Sequence, residues 1–217
     1  MRAYVITLMD VPESVAVAER CIASGAEFDV DVEKHKATTP DDEYCTARGI
    51  EEAFDIRGFS ALGFEGNHYS RRLPCMATFY SHAFLWMTSM LGVGPILILE
   101  HDAVFRAPLP DIPADVDFCN FGHPSFGKFE TPPDGFGPLV SKRYMPGAHA
   151  YYVTPKGAEM LLAKAATEAE PTDVYLNIDR FPFLMEYHPW PVVCDDSFST
   201  IQKELGCRAK HNEVKPL

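Results

Sequence analysis

The stretch 94-GPILILEHDAVF-105 places an uninterrupted apolar run directly before three ionisable residues. Residues 95–99 carry no polar side chain, a pattern that is typical of a strand buried on both faces of a parallel sheet. Glu100, His101 and Asp102 follow before the chain becomes apolar again. Because ligands of open α/β sheets bind beyond the carboxyl ends of the strands, this segment predicts a central strand and a site at its end.

Strands and helices are predicted to alternate on both sides of this segment. Apolar or alternating runs predict strands at 3–8, 28–37, 116–122 and 149–154, and an interrupted strand at 186–196 whose prolines indicate a sheet edge. Helical patterns cover 12–28, 41–54, 75–91, 155–166 and 171–181, with Ser14 and Thr154 as predicted N-caps of the first and fourth.

This alternation predicts one domain over residues 1–217, with an α/β fold and a mostly parallel sheet flanked by helices. The segment 123–144 is rich in proline and glycine and is predicted to be a long exposed loop on the substrate side. A hydrophobic fraction of 47% allows a core without metal or disulfide support.

Charge, cysteine usage and the lengths of the apolar runs disfavour several classes of protein. The net charge of −12 disfavours broad binding to nucleic acid. The six cysteines form no CxxC pair, which favours free buried thiols over disulfides or structural zinc. The first apolar run is too short for a signal peptide, and no run reaches the roughly 18 apolar residues of a membrane span, so we expect a cytoplasmic protein.

The Glu-x-Asp pattern at the strand end suits a divalent cation. In an extended strand Glu100 and Asp102 would share one side, with α-carbons about 6.6 Å apart, while His101 would face the other. Two carboxylates of like charge favour a hard cation such as Mg²⁺ or Mn²⁺, which usually also binds substrate phosphates. The alternative is a strand that simply ends in solvent, where charged residues are common. These three residues alone do not distinguish a cation site from such a strand end.

Several further segments resemble glycosyltransferase family 25, in that family's order. "SHAFLW" (81–86) and the strand ending in "EHD" resemble its Ser-His-x-x-x-Trp helix and Glu-Asp-Asp strand end; "GAHAY" (147–151) resembles Gly-Thr-x-x-Tyr. "PTD" (171–173) is similar to its Pro-Val-Asp and "STI" (199–201) to Ser-Thr-Ile, while "YVITL" with Glu19 and Arg20 also fits. The chain departs from the pattern at His101, where the family has an acid, and at Ala148, where threonine is common.

Members of that family are lipooligosaccharide and procollagen galactosyltransferases. The resemblance implies a GT-A-like fold, a nucleotide-sugar donor that is usually UDP-linked, Mn²⁺ or Mg²⁺, and inversion at the sugar carbon. It assigns Asp102 as the direct metal ligand, with Glu100 binding through water or holding the donor ribose. Two alternatives stay open: a catalytically degenerate protein that binds a nucleotide sugar or glycan, and another Mg²⁺-dependent enzyme acting on phosphates.

The general base that the acceptor hydroxyl needs has three candidates. Asp173 matches the acid of Pro-Val-Asp and is the first; Asp195 and Asp196 are second candidates for base or metal contact. Each has a structural alternative, because Asp173 could serve a helix N-terminus and the other two could begin a solvated turn.

Residues at the ends of the first two strands are predicted to line the nucleotide base: Thr7, Leu8, Thr38 and Thr39. His149, close to a glycine, and Arg72, beside a second arginine, are candidates for the donor phosphates; a surface pair is the alternative for the arginines. His82, inside an apolar helix, is interpreted as a core histidine with a hydrogen-bonded partner.

The function predicted is transfer of galactose or glucose from a UDP-sugar to a glycan or protein hydroxyl, as in lipopolysaccharide biosynthesis. No pattern in the sequence indicates the oligomeric state.

Overall fold

A computed structural model describes residues 1–42, 72–125, 127–145 and 148–195, and the helix predicted over 41–54 lies almost wholly outside them. The strands are β1 (Arg2–Thr7), β2 (Val32–Lys36), β3 (Ile96–Glu100), β4 (Ala103–Phe105), β5 (Phe118–Asn120), β6 (Gly135–Pro138), β7 (Ala150–Val153), β8 (Met185–His188) and β9 (Val192–Cys194). The helices are α1 (Pro12–Ala26), α2 (Arg72–Thr88), α3 (Pro155–Glu168) and α4 (Thr172–Tyr175), and a π-helical turn (Ser89–Val93) extends α2.

Within the described residues, seven strands form one sheet in the order β2-β1-β3-β7-β5-β8-β6. Their pairing makes β1, β2, β3, β5 and β8 run in one direction and β6 and β7 in the other. The prediction of an α/β fold with a sheet flanked by helices is confirmed, and the sheet is mixed. Five strands therefore end on the same side, which we call the carboxyl end of the sheet.

The apolar run of β3 is explained by burial on both faces. Ile96 and Ile98 belong to a cluster that includes residues of α2 and α3, and we call this side the α2 face. Leu97 and Leu99 belong to a second cluster that includes residues of α1 and β4, the α1 face. All four side chains are fully buried, and each such burial contributes about 1.5–3 kcal/mol. A polar side chain at one of these positions would need a buried hydrogen-bond partner, so the apolar run fits a strand enclosed on both faces.

The two predicted N-caps have different outcomes. Thr154 caps α3 as predicted, since its side-chain oxygen accepts a hydrogen bond from the backbone N–H of Gly157 at 3.1 Å. Ser14 does not cap α1, which begins at Pro12 without a side-chain cap. The hydroxyl of Ser14 instead accepts a hydrogen bond from the backbone N–H of Leu8 at 3.0 Å, so this residue joins α1 to the end of β1.

Two predictions about the second half of the chain were wrong in part. The segment 123–144 is not a continuous loop, because it contains β6, which pairs antiparallel with β8. Two glycines in "GFGP" leave no alternation of side chains to reveal this strand. The segment 186–196 contains β8, which is internal to the sheet, and β9, which pairs with β4 in a separate two-stranded sheet. Its prolines fall in the break between the two strands rather than at an edge.

Two expectations from composition can be compared with the described residues. Cys21, Cys75 and Cys119 are buried thiols outside any disulfide, as predicted; Cys194, also outside any disulfide, is half-buried, and the other two cysteines lie outside the described ranges. Of the helices in the described part of the chain, none has the length and apolar character required to cross a membrane.

Candidate functional site

Several of the predicted site residues lie at the carboxyl end of the sheet. Thr7 ends β1 and Glu100 ends β3, while His149 directly precedes β7, which runs in the opposite direction. The backbone N–H of Glu100 donates to the carbonyl of His149 at 3.0 Å, and that of Ala37, just after β2, donates to the carbonyl of Thr7 at 2.8 Å. Four strand termini are thus hydrogen-bonded side by side.

Glu100 projects to the α2 face and meets a histidine there. His82 of α2 is fully buried, with Nε2 3.3 Å from Glu100 Oε1 and Nδ1 2.8 Å from the hydroxyl of Tyr151. Burial lowers the pKa of His82 to about 3, opposed by the charge of Asp173, so the ring is neutral at physiological pH. The Glu100 side chain is 29% exposed and remains accessible from the carboxyl end.

The hydroxyl of Tyr151 is the meeting point of two segments that carry the family resemblance. It accepts a hydrogen bond from Trp86 Nε1–H at 2.9 Å, in addition to its contact with His82. Its ring stacks on Phe118 at a centroid distance of 5.0 Å and on His82 at 5.8 Å. Burial raises the pKa of Tyr151 well above its ordinary value, so the phenol keeps its proton. Trp86 and His82, one helical turn apart, thus hold the same β7 side chain.

Asp173, the first candidate for the general base, lies in the short helix α4. Its Oδ1 accepts a hydrogen bond from the backbone N–H of Val174 at 3.0 Å. Burial raises the pKa of Asp173 to about 6, opposed by backbone N–H groups and by His82. Burial is the main reason that the pKa of Cys75 in α2 is raised, and the negative charges of Asp173 and Glu100 raise it further. Both carboxylates therefore act electrostatically on the same buried thiol.

The predicted pairing of Glu100 with Asp102 on one side of a strand needs correction. His101 lies on the side opposite Glu100, as predicted, with Nδ1 3.0 Å from the hydroxyl of Ser14 in α1. However, β3 ends at Glu100, and residues 101–102 form a turn into β4. The thiol of Cys194 donates to Asp102 Oδ2 at 3.0 Å, and the charge of Asp102 helps burial to raise the pKa of Cys21 in α1. The extended geometry assumed for residues 100–102 is therefore wrong.

The second candidate acids lie beside Asp102. The backbone N–H of Asp195 donates to the carbonyl of Asp102 at 3.0 Å, and its carboxylate forms an ion pair of 2.6 Å with Arg20. Both partners of this pair are well exposed to solvent. Asp196 lies outside the described residues, and so does the side chain of Arg72, the first residue of α2.

The residues predicted to line the nucleotide base divide by accessibility. Thr7 and Thr38 are buried, whereas Leu8 and Thr39 are partly exposed. The backbone N–H of Thr38 donates to the hydroxyl of Ser81 at 2.9 Å, which attaches the segment after β2 to α2. Direct contact with a base is therefore available to Leu8 and Thr39, and it remains a prediction.

His149 is packed inside the carboxyl end. It is 1% exposed, and a β-carbon added to Gly122 would lie 2.6 Å from its Nε2, so the ring rests on that glycine. Burial lowers the pKa of His149 to about 4, helped by His123 and opposed by the backbone of Val192. The predicted contact with donor phosphates stays a prediction, and it would require this ring to become accessible.

Glu100 and Asp102, at and just after the end of β3, differ in how well they suit a divalent cation. In the described ranges, no three His, Cys, Asp or Glu side chains are grouped so that they could hold a metal. Mg²⁺ is usually bound by one or two carboxylates together with substrate phosphates and water. The accessible Glu100 suits that mode directly, whereas Asp102 is 7% exposed and hydrogen-bonded by a thiol. A cation shared by both would require Asp102 to exchange that contact.

Sequence reasoning missed that α2 holds two strand ends at once. Ser81 accepts from Thr38 after β2, and the adjacent His82 contacts Glu100 at the end of β3. The interpretation of His82 as a core histidine with a hydrogen-bonded partner is confirmed, but its partners were not predicted. The available signal was the adjacent pair of polar residues in an otherwise apolar helix.

Comparisons with known proteins add no family assignment: no protein-family model matches the sequence, and no curated protein matches it. The resemblance to family 25 therefore rests on the motifs quoted above. The structure adds a spatial relation between two of them, because Trp86 and His82 both contact the hydroxyl of Tyr151.

Proposed function

We propose that this protein is a metal-dependent glycosyltransferase with a GT-A-like fold. It transfers a hexose, galactose or glucose, from a UDP-sugar to a hydroxyl of a glycan or protein acceptor. One observation carries the proposal: an accessible carboxylate, Glu100, ends an interior strand at the carboxyl end of the sheet and is hydrogen-bonded by the buried His82. The family resemblance supplies the reaction class.

Donor binding follows from the strand ends. Glu100 and Asp102 would hold Mg²⁺ or Mn²⁺ together with the donor diphosphate, and the cation would supply Lewis-acid stabilisation of the negative charge that develops on the β-phosphate. Leu8 and Thr39, which are partly exposed, would contact the nucleotide base. Binding by several strand ends fixes the position of the sugar carbon relative to the acceptor.

Asp173 would act as the general base. The acceptor hydroxyl gives its proton to the Asp173 carboxylate while its oxygen bonds to the anomeric carbon, and the bond from that carbon to the diphosphate breaks with inversion. A base with a pKa of about 6 is deprotonated at neutral pH and still accepts a proton readily. Burial is the main cause of this raised pKa, and it thus brings the pKa of Asp173 closer to the pH at which a general base has to act.

Ligand-dependent thermal stability and UDP release test the proposal together. We expect UDP plus Mn²⁺ to raise the melting temperature more than UDP alone, Mn²⁺ alone or ATP plus Mg²⁺. Release of UDP from UDP-galactose or UDP-glucose should fall by about 10²–10³ in Asp102→Ala. Asp111→Ala, which removes an exposed acid, is the matched control and should keep normal turnover. Full turnover in Asp102→Ala, or UDP binding that ignores Mn²⁺, would refute the metal assignment.

A second candidate function is nucleotide-sugar or glycan binding without turnover. The contact between Cys194 and the buried Asp102 favours it, because a carboxylate engaged in this way is less available to a cation. Such a protein would show the same stabilisation by UDP plus Mn²⁺ but no UDP release above the Asp173→Asn variant. The release assay therefore separates the two candidates.

A further inference from the structure

A continuous chain of hydrogen bonds runs from the core to the carboxyl end of the sheet. Trp86 Nε1–H donates to the hydroxyl of Tyr151 at 2.9 Å; that oxygen lies 2.8 Å from His82 Nδ1, and His82 Nε2 lies 3.3 Å from Glu100 Oε1. The first three side chains are completely buried. Glu100 is the member of the chain that reaches solvent.

The chemistry of the two end groups determines where each hydrogen lies. An indole N–H can only donate, and a carboxylate can only accept. The neutral ring of His82 has one donor and one acceptor, so its hydrogen must lie on Nε2, directed at Glu100. Nδ1 then accepts from the Tyr151 O–H, whose oxygen accepts from Trp86. Every donor in this arrangement points towards Glu100.

We propose that His82 is a positioning residue for the Glu100 carboxylate, in a tautomer selected by Tyr151 and Trp86. Buried partners of this kind orient metal-ligating and substrate-ligating groups in other proteins. A carboxylate at a strand end otherwise samples several rotamers, and a cation or ribose would have to select one of them on binding. The consequence for donor binding rests on the proposed function; the orientation of Glu100 by His82 does not.

Two substitutions at position 82 separate the two halves of the ring. The amide nitrogen of glutamine reaches the place of Nε2, so His82→Gln keeps a donor towards Glu100 and loses the acceptor for Tyr151. The amide oxygen of asparagine occupies the place of Nδ1, so His82→Asn keeps the acceptor and loses the donor. Both variants remove the buried imidazole. Because asparagine is one methylene shorter than glutamine, the packing costs differ, and melting temperatures without ligand measure the cost of each variant separately.

Calorimetry with UDP in the presence of Mn²⁺ measures the consequence. We expect His82→Asn to weaken UDP binding by about 10–100-fold, the usual loss when a partner that orients a ligating residue is removed. His82→Gln should stay within about twofold of the wild type. In a Glu100→Gln background, His82→Asn should have no further effect, because the group that it orients has been replaced. Equal weakening by both position-82 variants, or an undiminished effect in that background, would overturn the inference.

Failure of the proposed function gives a different pattern. If Glu100→Gln leaves UDP and Mn²⁺ binding unchanged, Glu100 is not a ligand and the proposed function loses its main support. The ¹⁵N NMR spectrum of the histidine rings in the ligand-free wild type then still decides the positioning inference. We expect His82 to carry its proton on Nε2 and none on Nδ1; a proton on Nδ1 would overturn the inference whatever the donor.

Discussion

On the α2 face of β3, Glu100 is hydrogen-bonded by a histidine that is itself held by Tyr151, and both of these partners are fully buried. On the α1 face, Nδ1 of His101 lies 3.0 Å from the hydroxyl of Ser14, and Asp102 accepts a hydrogen bond from the thiol of Cys194. Three consecutive ionisable residues are thus supported very differently. Under the proposed function, the buried pair His82 and Tyr151 orients Glu100 for a ligand on the α2 face, while Asp102 has to exchange its thiol contact to bind a cation.

The largest effect is expected from Asp173→Asn, on the α2 face. Removal of a general base typically lowers turnover by about 10²–10⁴. Because the base acts when it is deprotonated, wild-type kcat/KM should fall about tenfold per pH unit below the pKa of about 6. The amide that replaces the carboxylate does not titrate, so the residual activity of the variant should be flat across that range. A wild-type profile that is flat between pH 5 and 7 would assign the base elsewhere and weaken the contrast between the faces.

An intermediate effect is expected from Gly122→Ala, at the carboxyl end of the sheet, where the His149 ring packs against this glycine. The added β-carbon would lie 2.6 Å from Nε2 of the buried His149, so ring or backbone must move. Overpacking of this kind usually costs about 1–3 kcal/mol, which lowers the melting temperature of a chain of this size by several degrees. Gly137→Ala is the matched control, because nothing lies within 4 Å of its new β-carbon. Equal melting temperatures for the two variants would show that the end of the sheet tolerates rearrangement.

The smallest effect is expected from Arg20→Gln, on the α1 face. Arg20 pairs with Asp195 in solvent, and exposed ion pairs contribute about 0–1 kcal/mol. The melting temperature should therefore change by no more than a few degrees, and less at high salt concentration, which screens the pair. UDP release should stay close to the wild-type rate. A large loss of activity would add Asp195 to Asp102 as a residue of the α1 face on which turnover depends.

Local patterns were sufficient for most of the elements. The run 95–99 predicted β3 because a strand covered on both faces requires apolar residues throughout, and Thr154 followed by Pro155 predicted the start of α3 through a cap made within three residues. The strand β6 escaped prediction because its glycines leave no side-chain alternation, and the strand is defined by its hydrogen bonds to β8. Serine is a favoured residue type at a helix N-cap, but the hydroxyl of Ser14 instead accepts a hydrogen bond from the backbone of Leu8, just after β1.

By itself, the sequence determined that a buried strand ends in three ionisable groups at the carboxyl end of an α/β sheet. Only the tertiary structure decided their partners: His82 for Glu100, Cys194 for Asp102 and Ser14 for His101. Alternation along a strand is a local property of the backbone, and it ceases to apply where β3 gives way to a turn. Contacts between residues up to 92 positions apart depend instead on how helices pack against both faces of the sheet, which no short pattern encodes.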